Sequence, residues 1–135
     1  MVRTAAQLLL MSTVFLAICL GAPLTIQDTK VTPLMTQSLG GIPGKEAAML
    51  TVEYAPGASS GKHRHNANTF VYVLEGSIVM QVEGGKEVTL GPGQTFYESP
   101  DDVHSVSRNA SATKSAKFLV FFVKDKGANS LVPVK

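Results

Sequence analysis

The chain has no tryptophan, one cysteine and three histidines. The lone Cys19 excludes an internal disulfide framework, so an apolar core must hold the fold. At 135 residues the chain suits one domain with enough core to need no covalent staples. Charge is also scarce, at 16% of residues and a formal net of +2, or +1 without Arg3. The lysines are scattered and no basic run occurs, which argues against a nucleic-acid partner. No repeat is visible. The longest apolar run, Leu8 to Leu20, is short for a membrane-spanning helix, which needs about 20 residues.

That run has a different reading. Arg3 gives a basic start, the apolar stretch follows, and the small residues Gly21 and Ala22 close it. This is the layout of a secretory signal. Residues 1–22 are therefore expected to be removed, leaving a secreted or periplasmic chain that starts between Leu20 and Thr25. That product would contain no cysteine and have no stable membrane association. An uncleaved anchor is the plain alternative, and Leu16-Ala17-Ile18-Cys19 faintly resembles a lipoprotein box.

Residues 23–44 are polar and broken by Pro33, Gly40, Gly41, Pro43 and Gly44, so they read as an extended arm. Residues 45–126 hold the domain, and residues 127–135 form a C-terminal tail. Within the domain, strands are expected over Ala47–Tyr54, Thr69–Leu74, Ser77–Val82, Lys86–Leu90, Gln94–Glu98, Val103–Arg108 and Ala116–Lys124. Short strands punctuated by Gly and Pro turns imply an all-β sandwich or barrel. Two of them are apolar on both faces: Phe70, Tyr72 and Leu74 oppose Val71 and Val73, and Phe118, Val120 and Phe122 oppose Leu119, Phe121 and Val123. One face lines the interior. The other needs a cover, by a second sheet, by the arm or by a second copy of the chain, because exposing it leaves a large apolar patch.

All three histidines fall in two short segments. In Gly57-Ala-Ser-Ser-Gly-Lys-His63-Arg-His65, strand alternation points both imidazoles one way and Arg64 the other. In the segment from Gly93 to His104, a turn at Ser99-Pro100-Asp101-Asp102 delivers the third. Three unrelated histidines are the bland alternative. Imidazole suits zinc, copper, iron and nickel.

These segments resemble the two motifs of the cupin superfamily. The first, G-x5-H-x-H-x3-E-x6-G, is met by Gly57, His63, His65 and Gly76 at every spacing, with Thr69 where the family has a glutamate ligand. The second, G-x5-P-x-G-x2-H-x3-N, is met by Gly93 and His104. Pro100 and Asn109 each stand one place late, and Asp101 replaces the glycine. The likeness covers roughly Met49 to Lys124 and is nearest to small single-domain, type-2 cupins with a secretion signal. It implies a double-stranded β-helix, or jelly-roll barrel. It also implies a divalent transition metal (Fe, Mn, Ni or Zn) held by His63, His65 and His104, and a homodimer.

Three neutral ligands leave positions open for water or substrate, as in catalytic rather than structural sites. Such a centre favours an anionic oxygen ligand: an enolate, a hydroxy acid or a carboxylate. The resemblance implies a dioxygenase or an isomerase/lyase acting on a small oxygenated acid or diketone. The alternatives are a non-catalytic metal- or small-ligand-binding module and a metal-free sugar-binding or storage cupin; the intact His63-x-His65 pair weakens the last. Two further residues are candidates for chemistry. Glu98, six residues before His104 across the turn, is a stand-in for the missing acid or a general base. Its plain alternative is a strand-end carboxylate in solvent. Arg108 has the strand parity of His104 and, on a regular strand, would point inward to hold a substrate carboxylate. Its alternative is a strand-end arginine in solvent. Asp101 and Asp102 are expected to serve the turn. Tyr72, Phe96 and Tyr97 are expected to be core or pocket wall.

Overall fold

The computed structural model describes residues 28–135, and the expected signal segment lies outside them. The described residues contain eleven strands: β1 (Thr29–Ser38), β2 (Lys45–Tyr54), β3 (Ser59–Ser60), β4 (His63–Arg64), β5 (Ala67–Glu75), β6 (Ile78–Val82), β7 (Val88–Leu90), β8 (Thr95–Glu98), β9 (Val103–Asn109), β10 (Ala116–Asp125) and β11 (Val132–Pro133). They form two antiparallel sheets. One runs β1-β2-β10-β5-β8; the other runs β11-β4-β9-β6-β7, with β3 also on β9. The two inner faces enclose the core, as in a jelly roll.

Register sets which residues meet inside. Val52, Phe118 and Val73 stand side by side across β2, β10 and β5; the next inner row runs Leu50, Val120, Val71 and Phe96. One row further comes Ala48, Phe122, Thr69 and Glu98. Ile78 and Met80 face them from β6 and are fully buried. Strand period two thus puts one apolar row of each doubly apolar strand inside and leaves Phe70, Tyr72 and Leu74 outside, each roughly half exposed.

Three local features shape the sheet. Gly76, the last glycine of the first motif, has φ +69°, and a Cβ there would lie 2.9 Å from the Ala116 Cα. Only glycine fits this crossing of β5 and β10. Thr29–Ser38, expected to be an arm with little structure, instead forms the edge strand β1, paired along its length with β2. Its backbone groups find partners in β2, which its polar sequence gave no sign of. Finally, β9 carries a bulge. Gln81 pairs with Val106 but Val82 pairs with His104, so Ser105 is an extra residue. That extra residue is why Asn109 stands one place late in the second motif. It still reaches the interior, where its Nδ2 donates to the Ala55 and Lys114 carbonyls at 3.0 and 2.8 Å.

Candidate metal centre

The three histidines converge. His63 on β4 stands opposite His104 on β9, and His65 follows just beyond β4. Each offers a ring nitrogen within 4.8 Å of the others, and all three side chains are buried. Two of them are oriented from outside. The His63 Nδ1 bonds the Gly61 carbonyl at 2.6 Å, and the His65 Nδ1 bonds the Ser130 carbonyl. A carbonyl accepts only, so each Nδ1 carries the proton and each Nε2 lone pair is free. This is how ligating histidines are usually held. Among the described residues His104 has no hydrogen-bond partner on either ring nitrogen. Phe96 stacks on it at 6.0 Å between ring centres, and Phe122 lies 5.1 Å from His65.

Glu98 adjoins the three histidines. It is 1% exposed, and neither carboxylate oxygen has a hydrogen-bond partner. Its Oε2 lies 3.3 Å from the His104 Nδ1 and 3.9 Å from the His65 Nε2. The structure thus places the Glu98 carboxylate in the interior beside His65 and His104, and not in solvent at a strand end. Thr69 is fully buried beside it, with its hydroxyl donating to the Ala67 carbonyl at 3.4 Å.

Burial sets the charge state. It holds His65 down at about 4, aided by His63, and His104 down at about 3, aided by His63 and His65. It pushes Glu98 up to about 7, helped by the charge of Asp102. Neutral imidazoles at His65 and His104, unpartnered buried carboxylate oxygens and, among the described residues, no lysine or arginine paired with that carboxylate together fit a bound divalent ion. The three-histidine group fits a metal-binding cupin.

Arg108 does not join the site. The bulge at Ser105 reverses strand parity after His104, so Arg108 faces solvent and pairs with Glu87 at 2.9 Å. The one-place shift of Asn109 was the sequence signal for this. Tyr72 and Tyr97 are also outside, half exposed on the outer sheet face, and only Phe96 walls the site. Asp102 serves the turn, accepting from the Ser99 backbone N–H at 2.7 Å.

The cluster forms one wall of a cavity of about 290 Å³. Its other walls are largely apolar, from Leu50, Val52, Val71, Met80, Phe118 and Val120. Further polar groups stand in it, among them three hydroxyls. The Tyr54 hydroxyl is hydrogen-bonded to the Ser60 and Ser107 hydroxyls at 2.5 and 2.7 Å. Sequence reasoning missed this trio, since Tyr54 reads as an ordinary strand-end aromatic. It also missed Ser130 and Leu131 of the tail, which line the cavity. A backbone carbonyl such as that of Ser130 leaves no trace in residue type.

The profile of the cupin domain family matches residues 50–122, more than half of the chain, so the chain belongs to that family. No curated protein sequence matches it. Among solved structures it is similar to the DMSP lyase DddQ from Ruegeria pomeroyi DSS-3, with TM-score 0.65 and 21% identity. That match covers 87% of this chain and 57% of the lyase. An oxalate oxidase in complex with the substrate analogue glycolate gives TM-score 0.62 and 24% identity, covering 84% of this chain and 59% of the oxidase. The protein TT1209 from Thermus thermophilus gives 0.60 and 25%, covering 76% and 90%. The chain therefore spans less than two thirds of the lyase and the oxidase. The likeness to these two shows the fold, a cupin jelly roll.

Proposed function

We propose that the chain is an exported cupin that binds one divalent transition metal through His63, His65 and His104. On this reading it is a metal-dependent enzyme of the dioxygenase or isomerase/lyase type, acting on a small oxygenated acid or diketone. The observation that carries it is the opening of the buried histidine cluster into an apolar cavity large enough for a small molecule. A divalent ion there would polarise an oxygen donor and, if iron or manganese, supply redox chemistry. The chain's own residues do the rest. The Gly61 and Ser130 carbonyls orient two imidazoles, the apolar walls exclude water, and the Tyr54 hydroxyl offers the substrate a hydrogen bond. Among the described residues no Lys or Arg lines the cavity, so an anionic substrate would be neutralised at the ion itself. The names of two structural neighbours, a DMSP lyase and an oxalate oxidase complexed with glycolate, agree with a small acidic substrate.

The test is metal analysis of protein purified without a histidine tag, followed by oxygen-uptake and product screening against hydroxy acids, diketones and thiols. About one ion per chain in the wild type, and none in His63→Ala or His104→Ala proteins that keep their β-sheet signal, is the expected result. Equal metal content in the double variant sinks the site. Metal and ligand binding without turnover would instead identify a non-catalytic binding module.

Two further parts of the reading rest on other features. Export rests on the signal-like residues 1–22. A homodimer rests on the outer face of the five-stranded sheet, where Phe70, Tyr72, Leu74 and Tyr97 are 40–50% exposed beside Phe121.

A further inference from the structure

We propose that Glu98 is a fourth protein ligand to the metal, supplied from β8 in place of the acid that Thr69 does not provide on β5. This rests on the three-histidine reading above and extends it. Thr69 and Glu98 are directly opposed in the β5–β8 ladder. Residues opposed across a ladder share a face, and their Cβ atoms lie about 4.5–5.5 Å apart. A carboxylate on either strand therefore reaches the same corner of the interior, and glutamate is the longer side chain. The first motif has lost its acid at Thr69, and the neighbouring strand carries one at the paired position.

The surroundings of the carboxylate support ligation over a merely orienting role. Glu98 is 1% exposed, and among the described residues no lysine or arginine pairs with it and neither oxygen has a hydrogen-bond donor. A carboxylate that only orients His104 would accept a hydrogen bond from its Nδ1, yet that nitrogen is also without a partner despite the 3.3 Å approach. Bonds of about 2.0–2.2 Å to one ion put two ligand atoms about 3 to 4 Å apart for angles between 90° and 150°. The separations of 3.3 and 3.9 Å from Oε2 to His104 and His65 lie in that range. A carboxylate also offsets one of the two positive charges that three neutral imidazoles leave uncompensated.

Cobalt(II) is the probe, because its visible d–d bands report ligand type and number. Its affinity for the full chain is measured by chelator competition in the wild type, Glu98→Gln, Glu98→Thr and the exchange variant Thr69→Glu/Glu98→Thr. Circular dichroism checks the fold of each. The expected result is a loss of more than about a hundredfold in affinity for both single variants, with altered d–d bands, and recovery to within about tenfold of wild type in the exchange variant. Gln keeps an acceptor for His104, so an orienting role predicts a loss within about 10–100-fold and unchanged bands. That outcome overturns the assignment, as does unchanged affinity in Glu98→Gln or a folded exchange variant that recovers nothing. Wild-type protein that takes up no cobalt overturns the three-histidine reading itself.

Discussion

At the scale of single residues, burial sets the protonation of the site. His65 and His104 are held at about 4 and about 3, whereas an unfolded chain protonates them near the ordinary 6.5. Between those values the unfolded state binds more protons, so metal-free protein loses stability as pH falls below about 6.5. Glu98 works in the opposite direction. Pushed up to about 7, it keeps its proton above the ordinary 4.5, and the stability this adds disappears as pH rises through 7. Two histidines outweigh one carboxylate. Chelator-treated protein should therefore melt at progressively lower temperature from pH 7 down to pH 5 and change little between pH 7 and 8. Added metal should raise the melting temperature more at pH 7.5 than at pH 5.5, because below 7 the ion must displace the Glu98 proton. A metal-induced shift that is larger at pH 5.5 would contradict these protonation states. Thr69→Val is a companion test at this scale. The Thr69 hydroxyl is spent on the Ala67 carbonyl, so the variant should keep its metal.

At the scale of elements, the C-terminal tail has a task that its sequence hides. β11 pairs with β4, the strand of His63, and the Ser130 carbonyl just before it fixes the His65 ring. Deleting residues 129–135 should leave the two-sheet core intact while weakening metal binding by about 10–100-fold, the usual cost of losing an orienting partner. Chelator competition on the truncated chain, with circular dichroism for the fold, measures this; wild-type affinity would show the tail to be dispensable. The bulge in β9 is the other decisive element. It sends Arg108 to Glu87 at the surface while returning Ser107 and Asn109 to the interior. Arg108→Ala should accordingly leave metal content unchanged, since the guanidinium pairs with Glu87 and does not line the cavity.

At the scale of the whole molecule, the five-stranded sheet has one wet face that is not polar. Phe70, Tyr72 and Tyr97 are each close to half exposed, and Phe121 packs 6.1 Å from Phe70 between ring centres. The charged groups of this sheet face sit at its two ends, Lys30, Glu53 and Lys117 at one and Lys45 and Asp125 at the other. A second copy laid on this face would bury the aromatic patch; a standard interface takes about 800 Å² from each partner. Phe121→Lys should then turn a dimer into a monomer at micromolar concentration without loss of fold, as light scattering would show. A wild-type monomer mass would dismiss the dimer. Phe122 is the wrong residue for this test, because it faces the cavity against His65.

Much of this architecture is written in residue order. Period-two alternation marks the strands, turn glycines separate them, and His63-x-His65 with His104 marks the three-histidine group, because these features depend on near neighbours alone. What lies beyond near neighbours came from pairing. The place of Thr69 opposite Glu98 is a fact of register between strands some thirty residues apart. The hold of Ser130 on His65 spans 65 residues and uses a backbone carbonyl, which no side chain announces. Thr29–Ser38 became a strand because β2 offered an open edge, not because its own pattern demanded it. Arg108 lost its inward parity to one extra residue in β9, and the ladder with β6 is what reveals where that residue sits. Sequence periodicity assigns a side chain to a face only while the strand stays regular; pairing between strands decides the rest.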